Sequence, residues 1–140
     1  MTLPPRRTTL HHETCFRNAL VFRLGHTRLA LPADQVATVA EVGSCTQIPN
    51  ADPTLLGVGR VGLRLLPLID AHRRMRVVAP PPAGFPWKCL VVKSALGEVA
   101  FRIDEVLGLH AMPEGLAPPG CTLMPLERLV DGSPGVGEDA

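Results

Sequence analysis

The sequence predicts an all-β protein built from two small barrels packed together, and three observations predict it. The first is punctuation: 15 Pro and 13 Gly make up a fifth of the 140 residues, which favours short strands and tight turns over long helices. The second is the short, alternating apolar runs separated by turns every eight to twelve residues. The third is an internal repeat. Ala19–Val42 and Cys89–Met112 align without gaps at an offset of 70, with Ala19-Leu20-Val21-Phe22-Arg23 matching Cys89-Leu90-Val91-Val92-Lys93. Leu29-Ala30-Leu31 matches Val99-Ala100-Phe101, and Asp34-Gln35-Val36 matches Asp104-Glu105-Val106.

Each copy opens with an apolar run, a tight turn (Gly25-His26-Thr27; Ala95-Leu96-Gly97) and a second alternating run, which is a β-hairpin. Pro32–Thr38 forms one short helical turn before Val39–Val42 extends again. Leu63–Ile69 is an apolar run holding Arg64 and Pro67, and the proline makes it an edge or bent strand. Ala71–Met75 and Pro125–Val130 read as short helices closing each copy. Leu65-Leu66-Pro67-Leu68 resembles Leu123-Met124-Pro125-Leu126, but there the offset has dropped to 58. The second copy is therefore 12 residues shorter, the difference between the two offsets, which is room for one strand and its turn. The expected division is a tail 1–17, a first barrel 18–78, a Pro-rich crossover 79–87, a shortened second barrel 88–130 and a tail 131–140.

Composition excludes several function classes. Lys+Arg 14 against Asp+Glu 13 gives a net charge of +1, which removes the electrostatic basis for binding nucleic acid. Aromatics are 4% with no Tyr, so stacking platforms for bases are scarce. Charged or Gly/Pro residues interrupt every apolar run before the ~20 residues a membrane helix needs. The amino terminus lacks the basic-then-apolar layout of a signal peptide. The expected location is cytoplasmic, without membrane insertion. The four cysteines (Cys15, Cys45, Cys89, Cys121) form no Cys-x-x-Cys pair and read as small hydrophobes.

Catalytic signatures are missing: there is no Gly-x-Ser-x-Gly, no phosphate-binding Gly-x-x-x-x-Gly-Lys and no His-Glu-x-x-His. His11, His12, Glu13 and Cys15 hold metal-ligand types, but they lie in a tail with no second half-site, so no metal is expected. Gly57-Val58-Gly59 with Gly62 lacks the strand–helix context of a dinucleotide loop. His72, Arg73 and Arg74 read as a solvated helix face, and Asp70 and Asp104 as turn-capping residues. No pair of these residues makes an acid–base couple, so no enzyme activity and no cofactor are expected.

What remains is apolar surface: Val36, Val39, Leu55, Val58, Val61 and Leu66 are the candidates for a groove that receives a partner helix. Here the sequence resembles a known family. Leu20-Val21-Phe22-Arg23-Leu24-Gly25, Leu29-Ala30-Leu31-Pro32, Val36, Ile48-Pro49, Leu56-Gly57-Val58 and Leu66-Pro67-Leu68-Ile69-Asp70 resemble the first subdomain of CheW-like proteins. Asp104-Glu105-Val106-Leu107-Gly108 resembles that family's second-subdomain signature, so the likeness spans about 19–130.

The resemblance implies two five-stranded SH3-like barrels, no catalysis, and a cytoplasmic adaptor coupling methyl-accepting chemoreceptors to a CheA-type histidine kinase. Where the family carries Asn-x-Arg-Gly, this chain has Arg60, Val61, Gly62 and Leu63, with Arg60 and Arg64 as the neighbouring cations. The receptor-binding surface implied is Val36, Val39, Val58, Arg60, Val61, Gly62, Leu66 and Pro67. A second barrel short of one strand implies weakened kinase binding, as in accessory adaptors working beside a complete CheW. An unpaired strand edge adds self-association as an expectation. The alternatives are full coupling of receptor and kinase, or a small ligand-binding barrel or enzyme.

Overall fold

The structure is a computed structural model that describes residues 16–78, 84–95, 97–113, 115–126 and 129. The first hairpin is β1 (Phe16–Leu24) and β2 (Thr27–Pro32). A 3-10 turn over Ala33–Gln35 leads to β3 (Val36–Thr46), followed by β4 (Leu55–Val61), β5 (Arg64–Ile69) and the short helix α1 (Ala71–Arg74). The second hairpin is β6 (Trp87–Ser94) and β7 (Gly97–Arg102), and β8 (Glu105–Pro113) and the two-residue β9 (Thr122–Leu123) complete the strands. The all-β prediction and both hairpins hold.

The strands do not assort as the division 18–78 against 88–130 implied. A closed barrel has the order β3-β4-β5-β7-β6, and a separate four-stranded sheet has the order β8-β1-β2-β9. Each copy lends its hairpin to the other, so both sheets draw on both halves of the chain. The reason lies in the hairpins, which are apolar on both faces and must be covered on both. Cys89 and Val91 of β6 point into the barrel with Val42, Val61, Leu66, Leu68 and Ala100. The alternate residues Leu90 and Val92 point the other way, into a second core shared with Leu20, Phe22, Leu24, Leu29, Leu31 and Phe101. Phe22 and Phe101 meet at the centre of that inter-sheet core, ring centroids 5.8 Å apart.

The repeat is visible in the ladders. Val36 lies opposite Val92, and seventy residues along Val106 lies opposite Phe22. Both ladders carry a bulge at the equivalent place, skipping Ala37 in one and Leu107 in the other. The parallel pairs correct the alignment of the closing elements. Leu68 pairs Ala100, whereas Ala30 pairs Leu123, so Leu68 corresponds to Leu123 at an offset of 55. The helical turns agree, since Arg74 N bonds Asp70 O and Leu129 N bonds Pro125 O, each at 3.0 Å. The deficit is therefore 15 residues rather than 12, the difference between 70 and 55, because the shared Leu-x-Pro-Leu pattern was three residues out of register. Among the described residues β4 is the strand without a counterpart: no strand lies between β8 and β9.

Candidate functional site: an exposed face on the barrel

β4 and β5 run antiparallel, with Arg60 opposite Leu65 and Val58 opposite Pro67. Side chains alternate across a strand, so these four share the outer face while Leu66 and Leu68 fill the barrel. Gly59 faces inward, where a Cβ would sit 3.3 Å from Val42 Cγ1. At the turn between the strands Gly62 adopts φ +63°, a conformation suited to glycine. Leu63 beside it is 98% exposed, and Leu65 is 70% exposed. Arg64 is paired with Glu98, whereas Arg60 is exposed and has no polar partner among the described residues. An apolar strip with one unpaired cation can recognise a partner, and it holds no reactive group.

The predicted contact residues divide between this face and other places. Val58, Arg60, Gly62 and Pro67 belong to it. Val61 and Leu66 do not: they are 8% and 6% exposed and form part of the barrel interior. Strand parity is the reason, since the alternation that turns Leu65 and Pro67 outward turns Leu66 inward. Leu63 and Leu65, the largest exposed apolar side chains here, escaped the sequence reading although that same alternation would have found them. Val36 is half-buried against the inter-sheet core, as is Leu55. Val39 is 48% exposed on β3 opposite Leu90. It stands five residues before Ser44, the partner of Arg60, or roughly 16 Å along the strand. Val36 and Val39 thus form a separate stretch bordering the inter-sheet core.

A buried polar cluster lies at the other end of the barrel. Asp70 caps α1 by accepting from Arg73 N at 3.1 Å, as its capping role predicts. His72, expected on a solvated face, is 5% exposed. The helix is a single turn, and its second residue faces the core side. His72 Nε2 lies 2.8 Å from Asp104 Oδ2, which also accepts from Gly25 N at 2.6 Å. Burial alone would raise the Asp104 carboxyl, but the His72 bond, the Gly25 amide and the nearby Arg102 outweigh it and hold it below the usual range. Arg102 stacks over Trp87 at 5.8 Å, and Trp87 stacks on Phe85 with centroids 4.1 Å apart. Burial pushes the Cys89 thiol up to about 11 and raises Cys45 as well, so neither offers a ready thiolate. No group of His, Cys, Asp and Glu among the described residues could hold a metal, and His11, His12, Glu13 and Cys15 lie outside them. No helix among the described residues is long and apolar enough to cross a membrane.

Where a counterpart of β4 would lie, between the ends of β8 and β9, there is a depression of about 280 Å³ lined in part by Ala19, Pro32, Met112, Leu116, Leu123 and Leu126. The matching interior of this sheet is reduced to Ala19, Val21 and Ala30 with Cys121 against them.

A closed barrel joined to a second small sheet by exchanged hairpins, with an exposed apolar face and no reactive centre among the described residues, defines a protein-binding β scaffold. The comparisons give this class its family. The CheW-like domain matches residues 18–130, and the chain belongs to that family, one of non-catalytic scaffold adaptors of chemotaxis arrays. Among solved structures it is similar to the scaffolding protein TtCheW from Thermoanaerobacter tengcongensis. The two share 20% identity with a TM-score of 0.63, over 74% of this chain and 71% of that one. No curated protein matches the sequence.

Proposed function

We propose that this chain is a cytoplasmic adaptor of a bacterial chemosensory array that docks the signalling tip of a methyl-accepting chemoreceptor and binds a CheA-type kinase weakly. The observation that carries the reading is the outer face of β4 and β5, where Leu63 and Leu65 lie exposed beside the unpaired Arg60. Burying that apolar surface drives association, and Arg60 selects an acidic position on the partner. Weak kinase binding is supported by the four-stranded sheet, since the family resemblance assigns much of the kinase contact to the second subdomain. A complete CheW beside this chain would then supply the coupling. Self-association by strand pairing is supported by β8, a nine-residue strand whose neighbour in the sheet is β1, which leaves its other edge open.

The test is a paired calorimetric titration of the chain with a receptor signalling-tip fragment and with the kinase regulatory domain. Tip binding that is lost in Arg60→Glu, with little kinase binding, supports the reading. Equal binding to both partners favours the second reading, a full coupler bridging receptor and kinase. Tip binding unchanged in Arg60→Glu removes the face assignment.

A further inference from the structure

The chain passes between the barrel and the four-stranded sheet twice, through Ala33–Gln35 from β2 to β3 and through Ile103 and Asp104 from β7 to β8. Asp34 and Asp104 are equivalent residues of the repeat, yet the two crossings are held differently. At the first, Arg17 reaches Asp34 from within the same sheet, and Lys93 of the barrel bonds the Asp34 carbonyl at 3.3 Å, both in exposed positions. Such contacts constrain little. At the second, one carboxylate joins parts of both bodies. Asp104 Oδ2 accepts from Gly25 N in the β1–β2 turn at 2.6 Å and meets His72 Nε2 on α1, at the end of the barrel, at 2.8 Å. The Asp104 backbone N–H also donates to Arg23 O at 2.9 Å. The Gly25 turn itself sits tightly on the segment after α1, where an added Cβ would come within 2.6 Å of Val78 O.

Between the crossings the two bodies meet through an apolar core. Apolar contact is individually non-directional, so it constrains the angle between the sheets less sharply than short hydrogen bonds to a carboxylate, which are directional. We infer that Asp104, bonded to Gly25 and His72, fixes the angle between the barrel and the four-stranded sheet. Asp104 and His72 are therefore positioning residues. This role stands apart from the adaptor reading, because the β4–β5 face lies wholly on the barrel.

Backbone amide residual dipolar couplings of the full chain test this directly. In the wild type the barrel and sheet amides fit one alignment tensor. In Asp104→Ala each set fits its own tensor, while affinity for a tip fragment at the β4–β5 face is kept, since that face lies wholly on the barrel. His72→Leu behaves in the same way, while His72→Gln, whose amide can still donate to Asp104, restores the common tensor. These two variants decide the matter if Asp104→Ala does not fold. A folded Asp104→Ala or His72→Leu protein that keeps the wild-type common tensor overturns the inference. If the wild type binds no tip fragment, the adaptor reading fails while the couplings still judge the joint.

Discussion

Val36 and Val106 occupy equivalent positions seventy residues apart, each near the start of a strand beside the hairpin of the opposite copy: Val36 faces Val92 and Val106 faces Phe22. The duplication is thus locked by exchange. The barrel lacks two of its strands without β6 and β7, and the other sheet lacks two of its own without β1 and β2.

Fragments 1–78 and 84–140 are therefore expected to be unfolded alone and to fold when mixed. Far-ultraviolet circular dichroism of each half and of the equimolar mixture checks this. A stable 1–78 fragment would mean that the first copy closes on itself.

Leu65 and Leu66 are adjacent and opposite in role. Leu66→Ala is expected to cost about 2–5 kcal/mol of stability, as a truncation in a packed core. Leu65→Ser should leave the melting temperature within a degree or two while weakening tip binding. Thermal melts run beside the tip titration separate the two effects.

Gly57 takes φ +143°, and a Cβ there would fall 2.1 Å from Thr46 O across the β3–β4 ladder. Gly57→Ala should destabilise by about 2 kcal/mol or more, since it combines backbone strain with a contact that neither strand can relieve. Urea denaturation of the variant measures it.

Acid should loosen the joint at Asp104. Its folded-state pKa lies below the ordinary value, so its stabilising contribution is complete above about pH 4, the unfolded carboxylate value, and is lost as pH falls through the lower folded value. Denaturation midpoints measured from pH 6 to pH 2.5 should fall less steeply at the acid end for Asp104→Asn than for the wild type.

Cys89 is fully buried with its thiol pushed up to about 11. It should resist thiol reagents at pH 7.5 in the native protein and react once urea unfolds the chain. Peptide mapping after labelling distinguishes it from Cys45 and Cys121.

Much of the fold was legible because local rules wrote it. The runs at Leu20 and Leu90 announced β-hairpins, Asp70 announced a turn cap, and the offset of 70 announced equivalent segments whose ladders the structure reproduces pair for pair. The site was read less well for two physical reasons. Pattern matching favoured Leu66 for its apolar character, while exposure is decided by parity along the strand. The proline shared by Pro67 and Pro125 drew the closing elements three residues out of register, although one lies in a strand and the other opens a helical turn.

The sequence by itself determined that this is a duplicated β protein, where its turns fall, and that it carries no recognisable catalytic constellation. Those properties reside in neighbouring residues and in repeats along the chain. The tertiary structure alone decided that the hairpins are exchanged, that His72 meets Asp104 and Gly25, and that Leu63 and Leu65 stand in solvent. An apolar residue carries no label saying which of several apolar surfaces will cover it. That choice is made only when all the strands compete for the same cores.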